Sequence, residues 1–191
     1  ITAVFKLIPQ RKLKIINSDG GEVLGNDKSS YPEGEKLTIK AVPNEGWFFS
    51  NWAGDALGAS AEIIITLDRT KEIKANFSTN LETNVSGKGT LSIDPPEGPY
   101  SYGTKVKINP VPDAGYYLGV WSGDALGMEK GPIEYEVTKA NPEITALFVP
   151  LKENRFTVTT LASSGGSVNS NPNSNAYVNG QQVTLTATPE P

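Results

Sequence analysis

The most constraining feature of the sequence is an internal repeat of about 70 residues. A segment that opens on Tyr31 and continues Pro-Glu-Gly-Glu-Lys-Leu-Thr-Ile recurs in the same register from Tyr100 and from Tyr177. The block Gly46–Gly58, which contains Trp-Ala-Gly-Asp, recurs without a gap as Gly115–Gly127. Because self-similarity at a fixed period indicates tandem modules, we expect several small units rather than one large domain.

The repeat also indicates where each unit ends. An alternating strand closes the units at Glu72–Phe77 and Glu143–Phe148, and Ile1–Phe5 has the same pattern. Ile1–Phe5 is not expected to join the core of the first repeat, because Ile73–Phe77 already fills that position. Ser78–Asn80 and residues 150–154 are predicted to be short connectors. The predicted organisation is the last strand of a preceding repeat in residues 1–8, complete repeats in residues 9–80 and 81–154, and the first half of a truncated repeat in residues 155–191.

Within each unit the apolar residues recur with a period of two, which is typical of strands. Lys36–Val42 and Glu72–Phe77 alternate over strand-like lengths and are rich in Ile, Val and Thr. Glycines lie between the strands, for example at Gly20–Gly21 and Gly87–Gly89, where tight hairpins favour them. The sequence therefore predicts an all-β fold of tandem modules, each with about six short strands.

Composition argues against several classes of function. The chain has no cysteine and no histidine, so it lacks the thiolate nucleophile, the usual proton-transfer group and the commonest zinc ligands. No Asp-x-Asp-x-Asp-Gly loop is present, and we predict no enzyme activity, no cofactor and no metal site. The net charge is −4 and the basic residues are scattered, which disfavours a nucleic-acid partner. No apolar stretch is long enough for insertion into a membrane.

Two Trp-x-Gly-Asp motifs stand at equivalent positions in the complete repeats. An aromatic ring beside a carboxylate could form a sugar subsite, but we favour a structural role. In that role the Trp fills the core, the Gly permits a turn, and the Asp caps backbone N–H groups. Structural roles are also predicted for Trp47 and for the tyrosines that open the central strand, with their rings buried and their hydroxyls in water. The predicted structural residues are Tyr31, Trp47, Trp52, Gly54, Asp55, Tyr100, Trp121, Gly123, Asp124 and Tyr177.

Phe48 and Tyr117 are the candidate ligand contacts. Trp47 and Phe49 share one face of a strand, so Phe48 should point to the opposite face, and Tyr117 should do the same in the next repeat. One exposed aromatic residue per repeat would suit a repeated ligand platform. The alternative is that a loop or the next module covers that face. Strict alternation from Phe49 would place Trp52 on the strand face opposite Phe49, away from the core, so a bulge between Ser50 and Asn51 is expected.

The combined pattern resembles a known family. Tyr-x-x-Gly-x-x-Val/Leu-Thr-Leu/Ile-x-Ala is followed by Gly-Trp/Tyr-x-Phe/Leu-x-x-Trp-x-Gly-Asp and then by Ile-x-Ala-x-Phe. This order is similar to that of the divergent InlB B-repeat family, over nearly the whole chain. The resemblance implies a small β module that occurs in tandem in bacterial surface proteins, adhesins and secreted polysaccharide-acting enzymes, and it implies no catalytic residues.

These observations lead to one expected function and one alternative. We expect a non-catalytic spacer or stalk, extracellular or on the cell surface, whose partners are the neighbouring repeats in the same chain. The alternative is a carbohydrate-binding accessory module that contacts a polysaccharide, or a surface receptor, through Phe48 and Tyr117.

Overall fold

The computed structural model describes residues 7–16, 19–128, 131–158, 160, 165–174 and 176–189. These residues form strands joined by turns and bends, and no helix occurs among them. Within the same ranges there is accordingly no helix able to span a membrane. The prediction of an all-β fold made of repeated modules is confirmed. The expectation for Ile1–Phe5 lies outside the described residues.

The strands follow the repeats of the sequence. The first repeat contains β1 (Gln10–Arg11), β2 (Leu13–Ile15), β3 (Gly21–Leu24), β4 (Tyr31–Pro32), β5 (Lys36–Pro43), β6 (Phe48–Gly54), β7 (Glu62–Thr66) and β8 (Lys71–Thr79). The second contains β9 (Glu82–Ser86), β10 (Gly89–Asp94), β11 (Tyr100–Ser101), β12 (Lys105–Pro112), β13 (Tyr116–Gly123), β14 (Ile133–Glu136) and β15 (Glu143–Pro150). The third contains β16 (Arg155–Phe156), β17 (Gly166–Asn171), β18 (Tyr177–Val178) and β19 (Thr184–Pro189). Each complete repeat thus has six strands of three or more residues, in agreement with the prediction.

The described chain divides into two compact units that do not coincide with the repeats. Unit 1 contains the described residues up to Asn80 together with Pro99–Thr104 and Val137–Asn141. Unit 2 contains Leu81–Gly98, Lys105–Glu136 and the described residues from Pro142 onward. Two segments of the second repeat therefore belong to the same compact body as the first repeat.

Unit 1 contains the two-stranded antiparallel sheet β1-β4 and two larger sheets. One is the antiparallel sheet β3-β5-β7. The other is centred on β8, which pairs antiparallel with β6 along one side and, along the other, parallel with β2 and antiparallel with β11. Alternate residues of β5 and β8 are buried, as the period of two requires. The core side chains from these two strands are Leu37, Ile39, Ala41, Ile73, Ala75 and Phe77.

Unit 2 repeats this plan. Its antiparallel sheet is β10-β12-β14, and its second sheet has β15 between β13, which is antiparallel to it, and β9, which is parallel. Unit 2 also contains the half repeat, in which β16 pairs with β18 and β17 with β19. Leu185 in β19 is 51% exposed, whereas its counterpart Ile39 in β5 is fully buried. All six residues of β19 are exposed.

The link between the first two repeats differs from the predicted connector. Ser78 and Thr79 are the last two residues of β8, and both are buried. They pair with Ser101 and Tyr100 of β11, so they are sheet residues. Thr79 is therefore the last residue of the strand that closes the first repeat. It also pairs with Tyr100 of the second repeat, as Arg11 pairs with Tyr31 in the first. The connector prediction was wrong at these residues because β8 pairs with β6 of the first repeat and also with β11 of the second.

Candidate functional site

The tryptophans of the two Trp-x-Gly-Asp motifs lie in the cores of their units. Trp52 and Trp121 are each 1% exposed. The indole N–H of Trp52 donates to the carbonyl of Ser60 (2.8 Å), and that of Trp121 donates to the carbonyl of Gly131 (3.1 Å). A buried indole with its one donor satisfied has no polar group left for a ligand.

A β-bulge brings each tryptophan to the core side of its strand. The pairing of β6 with β8 shifts between Phe49 and Asn51, which makes Ser50 the extra residue. The pairing of β13 with β15 shifts in the same way, with Gly119 as the extra residue. The bulge expected from strand parity is therefore present, and it places Trp52 on the same face as Phe49, with 5.3 Å between ring centroids.

The aspartates of the motifs bind the neighbouring strand. Asp55 accepts the Glu72 N–H (2.8 Å) on one carboxylate oxygen and the Arg69 guanidinium (2.6 Å) on the other. These hydrogen bonds, that from Arg69 first, lower the pKa of Asp55. Asp124 accepts the N–H of Glu143 (2.8 Å). In both repeats the aspartate thus holds the end of its strand against the closing strand.

The glycines of the motifs have backbone conformations that other residues rarely adopt. The φ angle is +83° at Gly54 and +70° at Gly123. A Cβ atom on Gly54 would also collide with the carbonyl of Glu72, and one on Gly123 with the carbonyl of Glu143. Glycine is therefore needed at these two positions for both conformation and space.

The three tyrosines occupy equivalent short strands, β4, β11 and β18, and all three rings are buried. The hydroxyl of Tyr31 accepts the N–H of Lys28 (3.0 Å), and that of Tyr177 donates to the carbonyl of Pro172 (2.9 Å). The expectation that these hydroxyls remain in water was wrong for Tyr31 and Tyr177. Each one anchors the loop that precedes its own strand.

Phe48 and Tyr117 lie in different surroundings. Phe48 is 50% exposed and stands opposite Ser78, beside the polar residues Asn51 and Asn76. Tyr117 is half-buried and stands opposite Val149, on a strand face that also carries Val120 and Leu147. The two repeats therefore do not present one platform of the same chemistry.

The repeat joint is a cluster in unit 1 formed by Gly46, Trp47, Thr79, Tyr102 and Asn141. Thr79 is fully buried, and its hydroxyl donates to the carbonyl of Gly46 (2.8 Å) while accepting the N–H of Asn141 (2.8 Å). Asn141 has a φ of +44°, which non-glycine residues seldom adopt. One buried hydroxyl thus connects the first repeat to a turn of the second.

Aromatic packing completes the repeat joint. Trp47 is buried and packs on Tyr102, with 5.8 Å between ring centroids. A Cβ atom on Gly46 would lie 2.7 Å from the side-chain amide nitrogen (Nδ2) of Asn141, so the absence of a side chain on Gly46 permits the close approach of Asn141. Sequence reasoning placed Trp47 in the core but missed Thr79 and Asn141. Nothing in a single sequence marks Thr79, because Arg11 and Phe156 stand at the equivalent positions.

Unit 2 contains a cavity of about 180 Å³ that we name the Tyr117 pocket. It is lined by residues of β12, β13 and the half repeat, among them Tyr117, Asn109, Asn169 and Asn173. Among the described residues, no group of potential metal ligands is clustered there or elsewhere.

Comparison with known protein families gives one match. A family model described as the divergent InlB B-repeat domain matches residues 11–81, 79–152 and 156–191. The first two matches overlap at Thr79, Asn80 and Leu81, which is where β8 leads into the second repeat. The comparisons with curated proteins and with solved structures found no match.

Proposed function

The chain belongs to the divergent InlB B-repeat family, and from that premise we propose that its complete repeats act as a spacer or stalk in a surface or secreted protein. The family is a tandem repeat of bacterial surface proteins and is not known as a catalytic one. The Trp and Asp residues of the motif common to the two repeats serve the core and the sheet ladder, as shown by Trp52, Asp55 and their counterparts. Repeats that share a structural framework are suited to a mechanical role.

The observation that carries the proposal is the repeat joint. A spacer must transmit position from one module to the next, and a flexible linker would not do so. Here β8 ends at Thr79, whose backbone pairs with Tyr100 of the second repeat and whose hydroxyl is bonded to both repeats. The joint buries a polar hydroxyl with both of its hydrogen bonds made, which is specific as well as stable.

Replacing Thr79 with valine tests the joint. Thr79→Val keeps the shape of the side chain but leaves the carbonyl of Gly46 and the N–H of Asn141 without this partner. Because unpaired buried polar groups are costly, we expect unit 1 to lose about 1–3 kcal/mol of unfolding free energy. Native-state hydrogen exchange should show the amides of Tyr100 and Asn141 opening more often, together with those of β8.

Thr79→Ser is the matched control, because it keeps the hydroxyl and removes only a methyl group. It should preserve the coupled exchange of Tyr100, Asn141 and β8. If Thr79→Val leaves the exchange of the second-repeat segments unchanged, the joint does not couple the repeats and the spacer proposal loses its main support.

The alternative function, a carbohydrate-binding module with an aromatic platform, has support only at Phe48, which is exposed beside Asn51 and Asn76. Affinity electrophoresis of the full chain in gels with neutral and acidic polysaccharides separates the two functions. Under the spacer proposal, any retardation is the same for the Phe48→Ala variant and the unmodified chain. A retardation that free sugar abolishes and that Phe48→Ala removes would favour the platform instead.

A further inference from the structure

Strand β7 (Glu62–Thr66) is an edge strand of unit 1 with one side unpaired. Among the described residues it pairs only with β5, and Leu67, which follows it, donates its N–H to the carbonyl of Glu35 (2.8 Å). Because bonded and non-bonded positions alternate in an antiparallel ladder, this hydrogen bond sets the pattern for the whole strand. Ile63 and Ile65 therefore turn their N–H and C=O groups toward β5, and the residues between them turn theirs away.

The outward-turned residues of β7 are Glu62, Ile64 and Thr66, and this edge is accessible. All three side chains are exposed, and Ile64 is 70% exposed. An open groove of about 450 Å³ borders the strand, lined by four consecutive residues, Ile63–Thr66, together with the exposed Leu57. Residues from both faces of β7 line the groove, so it follows the edge of the strand.

Strand β14 occupies the same place in unit 2 but is protected by charge. In the part of the chain that the structure describes it pairs only with β12, and the N–H of Val137 donates to the carbonyl of Thr104. By the same alternation, Glu134 and Glu136 are the residues that turn away from β12. Carboxylates at an edge oppose the addition of another strand. Since β7 has Ile64 where β14 has Glu134, the edge of β7 lacks this protection.

The edge of β7 is complementary to a second copy of itself. In an antiparallel pair of two β7 strands that overlap along their whole length, Ile64 stands opposite Ile64 of the second copy, and Glu62 stands opposite Thr66. Each pair joins outward-turned groups, so each can exchange two hydrogen bonds. The carbonyl of Glu62 accepts the hydroxyl of Ser60 and keeps a second lone pair for this purpose.

The side chains of such a pair are also compatible. The two Ile64 side chains leave water together, and no like charges stand opposite each other because Glu62 meets Thr66. The same pairing of two β14 strands would place Glu134 opposite Glu136. A second copy supplies the whole match by symmetry. From the open edge, the groove and this self-complementary register, we propose that two copies of the chain associate through β7 and form one continuous sheet across a two-fold axis.

The proposed association is closed and weak. Each β7 occupies the free edge of the other, so assembly stops at a dimer. One pair of five-residue strands makes a much smaller contact than a standard interface of about 1,600 Å², so we expect a Kd on the order of 100 µM. The inference goes beyond the spacer function and does not depend on it. The Thr79→Val experiment tests the joint within one chain, so the two proposals can fail separately.

Sedimentation velocity of the full chain between about 10 µM and 1 mM tests the association, and we expect a monomer–dimer equilibrium. Ile64→Glu, which gives β7 the residue that β14 carries, and Ile64→Lys should each weaken the dimer at least about tenfold. Both should leave the Tm nearly unchanged, because Ile64 is exposed. An equimolar mixture of the two variants should restore the dimer, because opposite charges then meet at the two-fold axis. Leu126→Glu changes an exposed leucine of unit 2 and is the control, which should dimerise like the unmodified chain.

Hydrogen exchange of the unmodified chain gives a test that needs no variant. The amides of Ile64 and Thr66 should become more protected as the concentration rises, because only the dimer bonds them. Those of Ile63 and Ile65 are bonded to β5 in both states and should not change. The proposal is overturned if the chain stays monomeric to about 1 mM, if species larger than a dimer form, or if Ile64→Glu dimerises as tightly as the unmodified chain. It is also overturned if the mixed variants stay monomeric or if the amides of Ile63 and Ile64 respond alike.

Discussion

Trp52→Ala and Trp121→Ala should each destabilise the unit that contains the residue by about 3–5 kcal/mol, the usual result of emptying a large aromatic site. Both rings are 1% exposed, and both indole N–H groups are bonded to a backbone carbonyl. Truncation therefore leaves a cavity and removes the indole hydrogen bond to the carbonyl of Ser60 or Gly131. Urea denaturation followed by circular dichroism measures the loss.

Phe48→Ala is the matched control for Trp52→Ala, because both residues belong to β6 and only Trp52 faces the core. Phe48 is half exposed, so its truncation should change the unfolding free energy by less than about 1 kcal/mol. The opposite ranking, a large loss from Phe48→Ala and a small one from Trp52→Ala, would show that the faces of β6 have been assigned incorrectly.

Gly54→Ala and Gly123→Ala should produce the second largest losses, about 2–4 kcal/mol each. Two effects combine at these positions. The φ angles of +83° and +70° are strained for alanine, and the new Cβ would collide with a carbonyl of the closing strand, at Glu72 or Glu143. The closing strand is the centre of its sheet, so relief of the collision must disturb the pairing on both sides of it.

Gly34→Ala separates the two effects. Gly34 has a φ of +89°, similar to that of Gly54, but no atom lies within 4 Å of the place where a Cβ would be. Its alanine variant should therefore show only the conformational cost, about 1–2 kcal/mol. Equal losses in urea denaturation from Gly34→Ala and Gly54→Ala would mean that the collision with Glu72 is relieved at no cost.

Most of the architecture was predictable because it follows from local pattern. Which segments form strands follows from apolar residues that recur at every second position, and the glycines at turns mark where the strands end. The bulge at Ser50 could be inferred because Trp52 is too large and apolar to face solvent, and only an extra residue brings it to the core side. The internal repeat supplied a second copy of each pattern, so an interpretation made at Trp52 could be checked at Trp121.

The repeat joint and the Tyr117 pocket could not be predicted in this way. Each depends on residues far apart in sequence, such as Thr79 with Asn141, or Tyr117 with Asn169. Thr79 resembles any polar residue near the end of a strand, and its importance comes from its pairing with Tyr100 and its hydrogen bond with Asn141, both in the second repeat. Similarly, Tyr117 was expected to resemble Phe48, but the half repeat packs near it and leaves it half-buried.

The sequence by itself determined the all-β class, the tandem modules, the family and the identity of the core tryptophans. Those features depend on periodicity and on the burial of large apolar side chains, which are properties of short segments repeated along the chain. Tertiary structure alone decided that unit 1 includes two segments of the second repeat, that one hydroxyl joins two repeats, and that Tyr117 lines a pocket. These features depend on which distant segments come into contact, and local pattern does not specify that contact because many different side chains can satisfy the same strand register.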